Sequence, residues 1–165
     1  MSNTEIKEQQ PAPDFILPAV GSDDAVKNGQ IHLQDLKGRA VVLYFYPKDD
    51  TPGCTKEACS FRDANHEIQK QGIAVLGVSA DSVDSHKKFA EKYGLPFPLL
   101  SDTDATVSRL YGAYGEKSML GKKYMGIYRS TFLIDRNGTV RKVWPKVKLD
   151  NHANEVLSTI EALQL

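Results

Sequence analysis

The two cysteines of this 165-residue chain, Cys54 and Cys59, are the side chains best suited to do chemistry. Cys54 follows an unbroken apolar run at residues 40–46 and a short polar loop, and it opens a segment with a helical pattern at residues 54–71. Free backbone N–H groups and the positive end of the helix dipole favour a thiolate at such a position. The sequence therefore predicts a nucleophilic cysteine, and the alternative is a small buried apolar residue.

The residues just before Cys54 support the nucleophilic interpretation. Thr51 can offer its hydroxyl to the sulfur or to an oxygen bound beside it. Gly53 is expected to let the backbone turn into the helix. Lys48 and Lys56 are cations close in sequence, although long lysine side chains in such places usually extend into water. Because this loop follows a predicted buried strand, it lies at the sheet edge where α/β proteins bind ligands.

Cys59 is five residues beyond Cys54 on the same predicted helix. Helical geometry gives such a pair a rise of about 7.5 Å and a Cα separation of roughly 8–9 Å. A disulfide needs a Cα separation of about 4.4–6.8 Å. If Cys59 bonds to Cys54, the first helical turns must therefore unwind. The alternative is that Cys59 is a core residue with no redox role.

Other uses of the two cysteines fit the spacing less well. A structural zinc site needs four ligands, and the histidines are scattered along the chain, at His32, His66, His86 and His152. A thioredoxin-type dithiol has two residues between its cysteines, whereas four separate Cys54 from Cys59. We therefore expect no metal and no cofactor, because the sulfur itself can carry the electrons.

A single arginine, Arg129, opens a strongly apolar predicted strand at residues 130–135. An arginine in such surroundings is costly unless it meets an anion. A thiolate in a pocket at a helix N-terminus would provide one. The alternative is a structural ion pair with Glu57 or an aspartate, and both interpretations can hold together.

Composition excludes several classes of function. Lys+Arg and Asp+Glu both number 21, so the chain shows none of the basic excess that is typical of nucleic-acid binding. No apolar run approaches the roughly 20 residues needed to span a membrane. The first ten residues lack the apolar core of a secretory signal, which predicts a cytoplasmic protein. The expected partner is a small molecule or another protein.

The order of predicted elements indicates an α/β fold. Strands and helices alternate through the first half, and Asn137-Gly138 predicts a late hairpin, so the order β–α–β–α–β–α–β–β–α gives a mixed central sheet with helices on both faces. Residues 1–12 are predicted to be a mobile arm and residues 13–165 a single domain. Residues 112–126, rich in Gly and Lys, are expected to be a long loop that could border the site or simply be solvated.

Several segments together resemble the peroxiredoxins, and specifically the bacterioferritin comigratory protein, or peroxiredoxin Q, group. The family motif P-x-x-x-[TS]-x-x-C is matched by Pro47, Thr51 and Cys54. The longer pattern P-G-C-T-x-E-x-C-x-F-R-D is matched by residues 52–63. Further matches occur at residues 115–117, 121–126 and 129–135. The resemblance runs from about Pro13 to the C-terminus, and several motifs in the right order make it specific.

The resemblance implies a thioredoxin-like fold and a role for each matched residue. Cys54 is expected to be the peroxidatic cysteine, and Thr51 and Arg129 to orient the peroxide and stabilise the thiolate. Pro47 is expected to shield the pocket, and Glu57 to hold Arg129. Cys59 is expected to be the resolving cysteine, as in members that carry one at this spacing. Such proteins are often monomeric.

The expected reaction is reduction of hydrogen peroxide or an organic hydroperoxide. The Cys54 thiolate would become a sulfenic acid, Cys59 would close an intramolecular disulfide, and thioredoxin or a similar dithiol would reduce it. The chain is not expected to bind nucleic acid or membrane. Two alternatives stay open at this point: a thiol–disulfide exchanger on the same fold, and a non-catalytic redox sensor or holdase.

Overall fold

The computed structural model describes residues 6–165. Nine strands and four α-helices are present in this part of the chain, with a 3-10 helix at Leu33–Leu36. The strands are β1 (Ile16–Val20), β2 (Gln30–His32), β3 (Val41–Phe45), β4 (Ala74–Ser79), β5 (Leu99–Ser101), β6 (Tyr114–Met119), β7 (Lys122–Ile127), β8 (Ser130–Ile134) and β9 (Val140–Trp144). The helices are α1 (Pro52–Lys70), α2 (Val83–Tyr93), α3 (Thr106–Leu110) and α4 (His152–Leu163).

Seven of the strands form one mixed sheet in the order β2-β1-β5-β4-β3-β8-β9. Strands β3, β4 and β5 are parallel, and the helices α1 and α2 make the crossovers between them. Strand β8 returns antiparallel beside β3, and the β8–β9 hairpin closes this edge. The predicted mixed sheet is therefore confirmed, including the hairpin around Asn137-Gly138.

The central strand β3 is buried on both faces, as its apolar run predicts. Its residues alternate between two hydrophobic cores. Val41, Leu43 and Phe45 belong to the core that also contains residues of the 3-10 helix and α3. Val42 and Tyr44 belong to the core formed with α1, α2 and α4. Helices thus cover both faces of the sheet, and the α1 face is the one that carries Cys54.

The expectation of a long loop at residues 112–126 is wrong. Strands β6 and β7 pair antiparallel over six residues each and form a separate two-stranded ribbon. Leu120 and Gly121 both have positive φ, 52° and 80°, which is the conformation of a two-residue type I′ turn. The ribbon is exposed on both faces near its tip, so its sequence lacks the apolar alternation by which a strand is recognised.

Part of the segment predicted as a mobile arm is tied to the domain. Backbone hydrogen bonds join Gln9 and Gln10 to Val140, and Ala12 to Gly138. Pro11 forms an isolated antiparallel bridge with Thr139. These contacts extend the β9 edge, so residues 9–12 are not separated from the rest of the domain. Residues 1–5 lie outside the described residues.

Gly77 in β4 lies against the ring of Tyr44 on the neighbouring strand. A Cβ at Gly77 would lie 2.9 Å from the Tyr44 hydroxyl and 2.9 Å from its Cζ atom. Gly77→Ala is therefore expected to destabilise the fold by about 1–3 kcal/mol through overpacking, measured by urea unfolding. In the Tyr44→Phe background the loss of stability should be smaller, because the hydroxyl oxygen, one of the two close atoms of Tyr44, is absent. An equal loss in both backgrounds would contradict this explanation.

Candidate active site

Cys54 is the third residue of α1, and its side chain is buried, with 2% of the residue exposed. Thr51 is the N-cap with an extended backbone, and Pro52 occupies the first helical position, where its missing N–H costs nothing. The helix begins two residues earlier than the sequence pattern predicts. The sulfur therefore lies within the first turn, where unpaired N–H groups and the helix dipole stabilise an anion.

Arg129 reaches Cys54 because of the pairing between β3 and β8. Phe45 at the end of β3 is opposite Ser130 at the start of β8, so the residue before Ser130 lies beside the loop that leads into α1. The Arg129 carbonyl accepts a hydrogen bond from Val147 N at 2.9 Å, which fixes the backbone there. The two residues are 75 positions apart in sequence, and only this register brings them together.

The Arg129 guanidinium bridges two acidic side chains. Its Nη2 donates to Cys54 Sγ at 3.4 Å, and its Nη1 donates to Glu57 Oε1 at 2.8 Å. The two interpretations of Arg129, anion partner for the sulfur and ion pair with Glu57, therefore hold together in this geometry. Glu57 lies one turn after Cys54 on the same face of α1, which is why one guanidinium can contact both.

Burial controls the charge balance of this triad. Glu57 is 2% exposed, and burial raises its pKa to about 7, against the opposing pull of Arg129. Burial also works against the charge on Arg129, but Glu57 and Cys54 outweigh it and the pKa of Arg129 is raised. Glu57 Oε2 has no hydrogen-bond partner within residues 6–165. One permanent cation is thus shared between a sulfur and a carboxyl group that is easily protonated.

Gly53 is needed for a different reason from the one that its sequence suggests. Its backbone is part of the regular helix, so it does not serve as a flexible turn. A Cβ at this position would lie 3.1 Å from Arg129 Nη2 and 3.3 Å from a methyl carbon of Leu149. Glycine is therefore the residue that lets the guanidinium lie against the start of α1.

The hydroxyl of Thr51 donates to the backbone carbonyl of Lys48 at 2.8 Å. The expected hydrogen bond from this hydroxyl to the sulfur is thus replaced by one within the loop, which leaves the lone pairs of the oxygen free to accept. Lys48 is exposed, and Lys56 forms an exposed ion pair with Asp150 at 3.1 Å. Neither lysine serves as the cation of the site.

Both cysteines are free thiols, and α1 runs unbroken through them. Cys54 is buried, whereas Cys59 is partly exposed. In this state the Cα atoms are held apart by more than one helical turn, about 8–9 Å, too far for a disulfide. The structure describes the reduced, folded arrangement of the pair.

An open groove leads to the site. Pro47 and Arg129 lie in its wall, beside residues of the β6–β7 ribbon and of the segment after β9. The ribbon contributes Glu116, Lys117 and Ser118, so the segment predicted as a loop does border the site. Apart from the family match at residues 115–117, its sequence pattern is that of an ordinary solvated segment.

A buried network behind the active-site loop was not predicted. Asp49 is 8% exposed, and it accepts from the Tyr46 hydroxyl at 2.6 Å and the Ser85 hydroxyl at 2.8 Å. Its Oδ2 also lies 2.7 Å from Nδ1 of the fully buried His86, whose Nε2 lies 2.8 Å from the Leu100 carbonyl. Both ring nitrogens of His86 thus lie at hydrogen-bond distance from an oxygen atom, which fixes the orientation of the imidazole ring.

This network anchors the loop to α2. Asp81 accepts from the Asp49 backbone N–H at 2.8 Å, and Asp50 adds an exposed ion pair with Lys92 and a hydrogen bond from Tyr93. Carboxylate and imidazole atoms of Asp49, Asp81 and His86 lie within 4.8 Å of one another, as metal ligands do. Because these atoms already bond to each other and to neighbouring groups, the cluster is described completely as a hydrogen-bond network.

The comparison with protein families identifies the chain. The AhpC/TSA family model matches residues 9–143. The chain belongs to the AhpC/TSA family. Among curated relatives, Peroxiredoxin Bcp of Bacillus subtilis is 48% identical over 131 residues, covering 79% of this chain and 83% of the relative.

Solved structures agree with this assignment. The bacterioferritin comigratory protein of Xanthomonas campestris, studied for alkyl peroxide reduction through trapped intermediate and ligand complexes, is 41% identical, with a TM-score of 0.82 over 92% of each chain. A cysteine-to-serine mutant of PrxQ from Xylella fastidiosa has a TM-score of 0.88 at 35% identity, covering 98% of this chain and 99% of that one. The predicted peroxiredoxin resemblance and thioredoxin-like fold are confirmed.

The activity of this AhpC/TSA member is thiol-dependent peroxide reduction, as its Bcp and PrxQ relatives indicate. The alternatives of a thiol–disulfide exchanger and a non-catalytic sensor are not supported by these relatives. Within residues 6–165, no helix combines the length and apolar character needed to cross a bilayer.

The contact between Gly53 and Arg129 generates a prediction that separates stability from reactivity. Gly53→Ala places a methyl group 3.1 Å from Nη2 and should push the guanidinium away from the sulfur. Alanine in a helix should leave the free energy of unfolding unchanged or raise it by about 0.5–1 kcal/mol. The rate of Cys54 oxidation by peroxide should fall about tenfold or more. Gln69→Ala, an exposed change on the same helix, is the control, and unchanged oxidation in Gly53→Ala would contradict the assignment.

Glu57 generates a prediction about the pH dependence of stability. Its pKa is raised from 4.5 to about 7 on folding. Its stabilising neutral form is fully present below pH 4.5, and that stability is lost as the pH rises through about 7, a change on the order of 3 kcal/mol. The free energy of unfolding, measured with urea between pH 5 and pH 8, should therefore fall with rising pH in Cys54→Ser. It should change less with pH in Cys54→Ser/Glu57→Gln, because glutamine does not titrate. Equal dependence in both would show that Glu57 does not titrate there.

Proposed function

We propose that Cys54 is the peroxidatic cysteine and that its thiolate attacks the near oxygen of a hydroperoxide entering beside Pro47. The observation that carries this proposal is the 3.4 Å contact between Arg129 Nη2 and Sγ, at a buried helix N-terminus. The O–O bond breaks, the sulfur is oxidised to a sulfenic acid, and the far oxygen leaves as water or an alcohol. The guanidinium stabilises the thiolate before attack and the charge that develops on the departing oxygen.

Thr51 and Pro47 are proposed to orient the peroxide and shield it. With its proton donated to Lys48 O, the Thr51 hydroxyl presents lone pairs that can accept from the O–H of the hydroperoxide. Pro47 lies in the wall of the groove together with Arg129 and limits the access of water. Gly53 keeps space for the guanidinium, and Glu57 holds its other nitrogen.

Cys59 is proposed to be the resolving cysteine. Its thiol would attack the Cys54 sulfenic acid, forming the disulfide and releasing water. Because Cys59 lies five positions after Cys54 on the same helix, the first turns of α1 must unwind for this step. The loop before α1 remains tied to α2 through Asp49 and Asp50, which supports unwinding on the helical side of the loop.

Recycling is proposed to use thioredoxin or a similar dithiol, which reduces the disulfide by exchange. We further propose that the chain acts as a monomer in the cytoplasm, without a metal or other cofactor. Support for the cofactor-free reaction comes from the chemistry, since the Cys54 sulfur supplies both electrons that cleave the O–O bond. The second thiol then condenses with the sulfenic acid to give a disulfide and water. Support for thioredoxin comes from the pairing of a peroxidatic and a partly exposed second cysteine.

The proposed roles of the cysteines predict different failures when each is replaced. Cys54→Ser should abolish peroxide consumption, because no other thiol is held beside Arg129. Cys59→Ser should complete one oxidation of Cys54 and then stop cycling with thioredoxin and its reductase. Intact mass after one equivalent of peroxide should show loss of two hydrogens in the parent protein and addition of one oxygen in Cys59→Ser. Full activity in Cys54→Ser would overturn the assignment.

A further inference from the structure

Lys117 in strand β6 of the ribbon is one of the residues that line the groove beside Arg129. The register pairs Lys117 with Tyr124, so the two side chains share one face of the ribbon. The Lys117 Nζ donates to the carbonyl of Ile127 at 3.0 Å and lies 5.9 Å from the centre of the Tyr124 ring. The side chain is partly buried, whereas Lys122 and Lys123 near the tip are exposed.

This ammonium lines the same groove as the guanidinium that contacts the reacting sulfur. The carbonyl that holds it belongs to Ile127, two residues before Arg129, and Lys117 and Arg129 line the same groove. Burial and repulsion by Arg129 lower the pKa of Lys117, against the attraction of Cys54. Lys117 therefore gives up a proton more readily than an exposed lysine does.

Breakage of the O–O bond requires a proton that the two groups placed beside the peroxide, Arg129 and Thr51, do not supply. The departing alkoxide is strongly basic and needs a proton. Arg129 does not release one, because a guanidinium remains protonated in proteins. The Thr51 hydroxyl donates to Lys48 O instead. Tyr128 donates its hydroxyl proton to the Glu116 carbonyl. The other polar and charged side chains in the groove wall are Glu116, Ser118 and Lys146.

We propose that Lys117 is a catalytic acid that protonates the oxygen departing from Cys54. This inference rests on the proposed function. In the step, the Cys54 thiolate takes the near O–H of the hydroperoxide and becomes a sulfenic acid, and the O–O bond breaks. The alkoxide takes a proton from the Lys117 ammonium and leaves as alcohol. The resulting neutral amine regains its proton from solvent.

The test compares reagents whose leaving groups need a proton to different extents. tert-Butyl hydroperoxide releases a strongly basic alkoxide, peracetic acid releases weakly basic acetate, and iodoacetamide alkylates Cys54 with release of iodide. Lys117→Met should slow oxidation by tert-butyl hydroperoxide about 100-fold, the lower end of the range for loss of a general acid. Oxidation by peracetic acid and alkylation by iodoacetamide should change less than about twofold, because neither leaving group requires the acid.

Two further variants make the result specific. Lys122→Met, an exposed lysine on the same ribbon, is the matched control and should react like the parent protein with all three reagents. Lys117→Arg keeps a donor for the Ile127 carbonyl, so it remains informative if methionine loosens the ribbon. Arginine keeps the charge but does not release a proton. Lys117→Arg should therefore be slowed as much as Lys117→Met with tert-butyl hydroperoxide, and it should react like the parent protein with peracetic acid and iodoacetamide.

The outcomes distinguish this inference from the proposed function. If Lys117→Met slows all three reagents equally, or none of them, or if Lys117→Arg reacts like the parent, proton donation by Lys117 is wrong while Cys54 remains the peroxidatic residue. If peroxide fails to oxidise Cys54 in the parent protein, the proposed function itself is wrong.

Discussion

The site depends on one partly buried guanidinium that two acidic groups share. Arg129 contacts Cys54 Sγ and Glu57 Oε1 with two different nitrogens, so its orientation is fixed from both sides. A charge in such surroundings is stable only with partners, because burial opposes it. When Glu57 is neutral, the full attraction of the cation is available to a thiolate. With its pKa raised to about 7, the carboxyl group positions Arg129 while its competition for the charge weakens as the pH falls below neutral.

Helix α1 serves two needs that conflict. As an intact helix it supplies the N-terminal dipole and free N–H groups that favour a sulfur anion at Cys54. The same regular geometry keeps Cys59 too far away to form a disulfide. A reaction cycle that uses both cysteines therefore alternates between a folded helix for oxidation and an unwound first turn for resolution. The partial exposure of Cys59 fits a residue that becomes accessible in the second state.

The loop between β3 and α1 is anchored by residues outside α1. Asp49 is bonded to Tyr46, Ser85 and His86, and Asp50 to Lys92 and Tyr93. These contacts come from the end of β3 and from α2. Neither set includes a residue of α1. The loop and its groove can therefore keep their shape while the start of α1 moves, which limits the cost of unwinding to a few helical residues.

The sequence by itself predicted a nucleophilic role for Cys54, and it determined the strand-to-helix junction at which Cys54 lies and the mixed sheet with its late hairpin. These follow from local patterns: an apolar run, a cysteine after Thr-Pro-Gly, and Asn-Gly between strands. The β6–β7 ribbon is not evident from the sequence because it is exposed on both faces near its tip and therefore lacks a regular apolar alternation. Only the tertiary structure decided that Arg129 meets Cys54, that Gly53 is needed for space, and that His86 supports the loop. Each of these is a contact between residues distant in sequence, set by the register of β8 on β3 or by the packing of α2, and local patterns do not encode such distances.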